Sequence, residues 1–211
     1  MHLPLKPLKL PFHRLPCLTS SMMNKPTRKI AESLIYEMVD GNPIYYHGYR
    51  DVLKGRKDVE AILGSTYLQS LMVANLVAQL VKNLAGEYVI LTNELGVLLS
   101  KNHWRIADIA IVSREALKKQ GNENGYLTVP PQAVIEIDTK AALEDIPEPV
   151  SYFHKKTDQL LQFGVEKVIW IFTKSEKVMV AEQGKPWLTF SWTDRIHILN
   201  GIELSVEELT Q

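Results

Sequence analysis

The stretch that most constrains the fold is a strand, helix, strand unit between residues 133 and 172. Ala133 to Asp138 reads as a short apolar strand, and Val168-Ile-Trp-Ile-Phe172 as a second. Between them, a helix is predicted from about Ser151 to Phe163, ending on Gly164, a residue suited to the left-handed cap that closes helices. Strands this apolar belong to a sheet covered on both faces, and the connection makes them candidates for parallel neighbours. The first of them is chemically odd. In Val134-Ile-Glu-Ile-Asp-Thr-Lys140, alternation places Glu136, Asp138 and Lys140 on one face and Ile135 and Ile137 on the other. An ionised carboxylate in apolar surroundings persists when it is paired, hydrogen-bonded or metal-bound. A second strand, Ile106-Ala-Asp-Ile-Ala-Ile-Val112, repeats the pattern with Asp108. Together the two strands suggest a divalent-metal site.

The rest of the chain fits an α/β fold. Ile30, Leu34, Ile35 and Met38 have helical spacing and predict a helix over 30–39, stopped by Asp40-Gly41 before an extended Pro43 to Tyr46. A short helix is expected at 56–63. Ser65 or Thr66 can cap a long one running to Leu84, whose wide stripe (Leu68, Leu71, Met72, Leu76, Leu80, Leu84) suits packing on a sheet. Tyr88 to Thr92 and Gly96 to Leu99 read as further strands. The last third reads as hairpins: Lys177 to Glu182, Trp187 to Trp192 and Ile196 to Leu199, with turns at Gln183-Gly184 and Asn200-Gly201. The expected architecture is a mixed central sheet flanked by helices, with domain 28–211 preceded by a proline-rich leader, 1–27, that should not fold alone.

Composition narrows the function classes. Apolar residues make up 45% and charged ones 23%, and no apolar run approaches the roughly 20 residues that span a bilayer, so no membrane partner is expected. The single cysteine, Cys17, rules out an internal disulfide and a cysteine-rich zinc site, and fits a reducing cytoplasm. Net charge is zero, but residues 1–29 hold six basic residues and no acid, which leaves 18 basic against 24 acidic beyond them. Binding to phosphate backbones must then rest on a local cleft rather than on the overall field. His47, His103, His154 and His197 are too scattered for a zinc site. Tyr45, Tyr46 and Tyr49 suit core or hairpin packing better than base stacking.

On the predicted helix over 151–163, Lys156 falls on the packed side, between Phe153 and Leu160, so a helix laid on the Glu136 strand could deliver its ammonium to the carboxylates. Magnesium takes oxygen ligands, commonly one or two carboxylates with waters and substrate phosphates, for which Asp108 and Glu136 suffice chemically.

Asp40-Gly-Asn-Pro-Ile-Tyr-Tyr-His-Gly48, Asn93-Glu-Leu-Gly96, Ala107-Asp-Ile-Ala-Ile111, Val134-Ile-Glu136 and Lys156 through Phe163-Gly-Val-Glu-Lys-Val-Ile-Trp170 occur in an order that resembles the Uma-two family. That family consists of restriction endonuclease-like proteins, a branch of the PD-(D/E)xK superfamily. The likeness spans about Tyr36 to Glu182. It implies a restriction-endonuclease-like fold and a nuclease that cuts DNA with Mg (or Mn), possible as a homodimer. It implies further that Asp108 and Glu136 are the metal-binding acids, that Glu94 is an additional acid near the metal, and that Lys156 is the lysine displaced onto the helix. Asp138 stands where the wider superfamily has its lysine and is a candidate ligand. Asp138-Thr139-Lys140 is itself a D-x-K triplet, which keeps Lys140 a contender. Ala107 replaces the family's proline. The rival readings are a diverged nuclease fold that binds nucleic acid or protein without cutting, and a hydrolase of smaller phosphoesters.

Overall fold

The computed structural model describes residues 32–121 and 124–211, so the leader 1–27 lies outside the described residues. One sheet organises the chain. Strands β1 (Ile35–Val39), β2 (Asn42–Tyr45), β3 (Tyr88–Ser100), β4 (His103–Ser113), β5 (Ala133–Ile137), β6 (Lys167–Phe172), β7 (Lys177–Glu182) and β8 (Leu188–Ser191) form it in the order β2-β1-β4-β5-β6-β7-β8, with β3 also paired to β4. Only β5 and β6 run parallel, with Glu136 beside Trp170, as the crossover helix between them requires. That helix, α5 (Pro149–Phe163), starts on a proline at its first turn and stops at Gly164 with φ 112°. Two short strands, β9 (Ile196–His197) and β10 (Glu203–Leu204), pair around the Asn200-Gly201 turn.

The pairing of β4 creates a fork. Trp104 pairs with Leu98 of β3 and with Met38 of β1, while Ile109 pairs with Thr92 of β3 and with Ile135 of β5. A strand has two edges, so β3 fills one edge of β4, and β1 and β5 share the other, parting around residues 105–108.

Helices cover both faces. The long helix α3 (Tyr67–Leu84) starts where the Thr66 side chain accepts a hydrogen bond from the Gln69 amide, and it lays Met72, Leu76, Leu80 and Leu84 on Ile109, Ile111, Ile135, Ile137, Ile169 and Ile171. On the opposite face, Tyr152, Leu160 and Leu161 of α5 pack on Ala110, Val112, Val134, Val168 and Trp170. The period-two alternation of β4, β5 and β6 thus sorts odd-numbered isoleucines to α3 and even-numbered residues, Glu136 among them, to α5. Three shorter helices, α1 (Tyr49–Leu53), α2 (Glu60–Leu63) and α4 (Arg114–Leu117), sit in connections. No helix among the described residues is long and apolar enough to cross a membrane.

Three expectations need correction, and the first is the helix at 56–63, which is confined to Glu60–Leu63 and preceded by a separate helix at Tyr49–Leu53. The helix over 30–39 is instead a single 3-10 turn, Glu32–Leu34, followed by strand β1. Asp40 (φ 52°) and Gly41 (φ 79°) make a tight hairpin to β2, and Asp-Gly is a strong hairpin signal that outweighs four residues at helical spacing. The two strands expected at 88–92 and 96–99 are one, β3, interrupted by a bulge between Thr92 and Leu95.

Leu76, 1% exposed at the centre of the α3 face, should cost about 2–5 kcal/mol when cut to alanine, read as a lower urea midpoint with an unchanged m-value.

Candidate active site

At the fork, side chains replace missing ladder partners. The Glu37 carboxylate on β1 accepts from the Ile106 amide (3.1 Å), and the Asp108 Oδ2 on β4 accepts from the Ile137 amide (2.7 Å). Continuing the β4–β5 register one step beyond Ile109 and Ile135 sets Asp108 opposite Glu136, whose carboxylate meets α5. Lys156, wholly buried on α5, puts its ammonium 2.9 Å from Glu37 Oε1 and 3.0 Å from Glu136 Oε1. Glu37 receives two further hydrogen bonds at Oε2, from Arg105 (2.5 Å) and the Tyr152 hydroxyl (2.9 Å). Gln159 Oε1 accepts from Arg105 in turn.

The charges do not balance. Fully ionised, Glu37, Asp108 and Glu136 carry three negative charges against two on Arg105 and Lys156. Glu37 has the better claim on the cations. Burial would raise its carboxyl, but Lys156, Arg105 and the Ile106 amide outweigh burial and hold it below the usual range. The same carboxylates outweigh burial at Lys156 and keep its ammonium charged. Glu136 is left with the excess. Burial, assisted by Asp108 and Glu37, pushes its carboxyl up to about 8 against the pull of Lys156, and apart from that ammonium at Oε1 its buried oxygens receive no hydrogen bond. Burial also raises Asp108, opposed by the Ile137 amide, Lys156 and Lys140.

Asp108 opens onto a cleft of about 630 Å³, with Glu94 and Lys140 from the facing loops and Gln69 from α3. Glu94 reaches it because the β3 bulge carries two successive left-handed residues, Asn93 (φ 73°) and Glu94 (φ 55°). Lys140 forms an ion pair with Glu94 and donates to the Leu63 carbonyl (2.8 Å), while the Tyr46 hydroxyl donates to Glu94 Oε2 (3.1 Å). Gln69 Nε2 donates to the Ile137 carbonyl (3.1 Å), so its amide is capped by Thr66 while its side chain fastens the end of β5.

The structure therefore brings Asp108, Glu136 and Lys156 together in one buried cluster and Asp108, Glu94 and Lys140 together in the adjoining cleft. Asp138 lines the adjoining space with Lys140 and Gln69. The expected row of Glu136, Asp138 and Lys140 ends at Ile137, because Asp138 turns left-handed (φ 57°) and spends its carboxylate on the Thr173 amide (2.9 Å) and hydroxyl (2.5 Å). Among the described residues, no three acidic, histidine or cysteine side chains converge closely enough to hold a metal by themselves. Sequence reasoning misses Glu37 and Arg105. Glu37 lies in the stretch whose spacing predicts a helix, and nothing local marks two residues 68 apart as partners.

The Uma2 family model, described as "Putative restriction endonuclease", matches residues 60–207. No curated protein matches the chain. Among solved structures, a putative nuclease belonging to DUF820 from Anabaena variabilis superposes with a TM-score of 0.60 at 15% identity, over 82% of this chain and 88% of that one. The match shows a shared fold, restriction-endonuclease-like in its mixed sheet and flanking helices.

Two outcomes follow for the metal-free protein. A folded-state carboxyl raised from 4.5 to about 8 binds a proton that the unfolded chain releases, so its contribution is full below about pH 4.5 and is lost as pH rises to about 8. Glu136→Gln, which mimics the protonated form, should gain on wild type across that window by up to about 1.4 kcal/mol per pH unit, then level off, in urea titrations at several pH values. A constant difference would mean that Glu136 is ionised in the fold throughout. Lys156→Met strands two buried carboxylates and should cost about 3–5 kcal/mol in the same assay at pH 8.

Proposed function

The chain belongs to the Uma2 family of putative restriction endonucleases, and from that membership and the geometry of the fork we propose that it is a metal-dependent nuclease hydrolysing DNA phosphodiester bonds. One observation carries the reading. Asp108, which opens onto the cleft, and the fully buried Glu136 and Glu37 carry one negative charge more than Arg105 and Lys156 supply, and Glu136 Oε2 is buried without a hydrogen-bond donor. An unsatisfied buried carboxylate is costly, and either a proton or a cation relieves it. Magnesium or manganese, which take carboxylate and water oxygens, fit this donor set, with Asp108 and Glu136 as the protein ligands and Glu94 close by on the cleft wall. When bound, such a metal supplies Lewis-acid polarisation of the phosphoryl group and a more acidic water.

The two lysines divide the remaining work. Lys140 lines the cleft beside Asp108 and is assigned to the phosphate and the attacking water. Lys156 has no exposed surface and acts through Glu136, whose charge it steadies, so it is a positioning residue. Asp138 is assigned to holding the β5 and β6 ends together through Thr173. Cutting both strands of a duplex would be simplest for a homodimer with two such sites. The burial of Glu136, together with Ala107 in place of the family's proline, favours the rival in which the fold binds nucleic acid or protein without cutting it.

The test is nicking of supercoiled plasmid and cleavage of single-stranded DNA with magnesium or manganese, for wild type, Asp108→Ala and Glu136→Ala. Metal-dependent cleavage that falls at least about a hundredfold in both variants is expected, the scale on which removal of transition-state stabilisation is felt. Cleavage that persists in chelator would refute the metal, and absence of cleavage by folded protein would leave the binding rival.

A further inference from the structure

Lys140 is held in the cleft from two sides, and Tyr46 stands on both. Strand β5 ends at Ile137, the chain reverses at Asp138 (φ 57°), and residues 140–142 then pair with 45–47. In this short pairing the His47 amide donates to the Lys140 carbonyl (2.6 Å), the Ala142 amide donates to the Tyr45 carbonyl (2.8 Å), and Tyr46 lies opposite Ala141. The backbone of Lys140 is thus fastened to the neighbours of Tyr46.

The side chains close the circuit. Glu94 Oε1 pairs with the Lys140 ammonium and Glu94 Oε2 accepts from the Tyr46 hydroxyl (3.1 Å), so both oxygens of this carboxylate are engaged. Its approach is costly, because Asn93 and Glu94 adopt two successive left-handed conformations that residues with a Cβ avoid. Thr92, just before them, donates its hydroxyl to the Asp108 carbonyl (2.9 Å) and ties the bulge to the strand that carries Asp108. Glu94 and the Leu63 carbonyl take two of the three donors of the Lys140 ammonium and set the direction of the third, which is left for an oxygen in the cleft that Lys140 lines with Asp108.

Tyr46 itself is 9% exposed. Burial, with Glu94 beside it, holds its phenol well above the usual value, so the hydroxyl keeps its proton and serves as the donor. Its ring packs edge-on against Tyr36 at 5.0 Å, which fixes where that donor points. This packing does not need the hydroxyl, since a phenylalanine would fill the same space.

We propose that Tyr46 is a positioning residue for the nuclease reaction, holding the Lys140 ammonium through Glu94 in the orientation that presents a donor to the phosphate and attacking water beside Asp108. This rests on the nuclease reading, and it assigns Glu94 to Lys140 rather than to the metal.

The test is a double-mutant cycle on plasmid cleavage by the full-length chain with manganese, read as kcat and KM for wild type, Tyr46→Phe, Lys140→Ala and the double variant. Manganese binding is followed separately by electron paramagnetic resonance. Tyr46→Phe removes only the hydroxyl and should lower kcat about ten- to a hundredfold, with KM and manganese affinity within about twofold of wild type. In the Lys140→Ala background the same change should do nothing further, because the hydroxyl acts through that ammonium. Glu94→Gln, whose amide nitrogen cannot accept, breaks one of the two contacts and should reproduce the loss of kcat with manganese affinity kept. Equal losses from Tyr46→Phe in both backgrounds would show a hydroxyl that serves only the fold, and manganese binding lost in Glu94→Gln as in Asp108→Ala would make Glu94 a ligand; either overturns the assignment. Wild-type kcat in Tyr46→Phe overturns it too and leaves the nuclease reading standing. If folded wild type cuts no DNA, both fail.

Discussion

The fork in β4 is the constraint on which the rest depends. Where β4 passes from β1 to β5, the ladder breaks in the interior of the protein, and a buried amide without a partner costs about 1–3 kcal/mol. Carboxylates close the gap, Glu37 on Ile106 and Asp108 on Ile137. Placing acids there then obliges the fold to bring cations, and Arg105 from β4 and Lys156 from α5 supply them. The packing of α5 is therefore electrostatic as much as apolar. Leu160 and Leu161 bury it, while Lys156 and Tyr152 fix its rotation by reaching Glu37.

The same arrangement explains why an acidic domain can hold a site for phosphate chemistry. The charges that count are sorted by depth. In the interior, Glu136 shares the Lys156 ammonium with Glu37; at the cleft, Lys140 is held by Glu94 and the Leu63 carbonyl. Acidic character elsewhere on the surface then leaves the field near the cleft a local property.

Much of this is legible in the residues alone. The strands over 133–138 and 168–172, their parallel pairing, the helix between them and the Thr66 cap all carry local signals, and Lys156 betrays itself by standing among apolar neighbours on a helix face. What is not legible lacks a local signal. The backbone reversal at Asp138 depends on Thr173, 35 residues away, and Glu37 is read as a core residue only once β1 is known to be a strand. The Asn93-Glu94 bulge looks in sequence like a loop between two strands, because what keeps it within one strand is the continuous partner β4. Asp108 and Glu136 are visible as oddities, but their placement side by side follows from a register that only the sheet sets.

Trp170 gives the cluster an optical consequence. Its ring lies against the Lys156 ammonium at 5.2 Å, its strand neighbour in register is Glu136, and its indole nitrogen is anchored on the Thr157 hydroxyl at 2.9 Å. An indole is sensitive to the field across its ring, and here the field is set by whether Glu136 carries a charge and whether Lys156 still leans on it. The chain thus has a built-in fluorophore in the wall of its own charge store, fully buried and fixed in orientation. Protonation, metal arrival or loss of the ion pair would be written into its emission without any label.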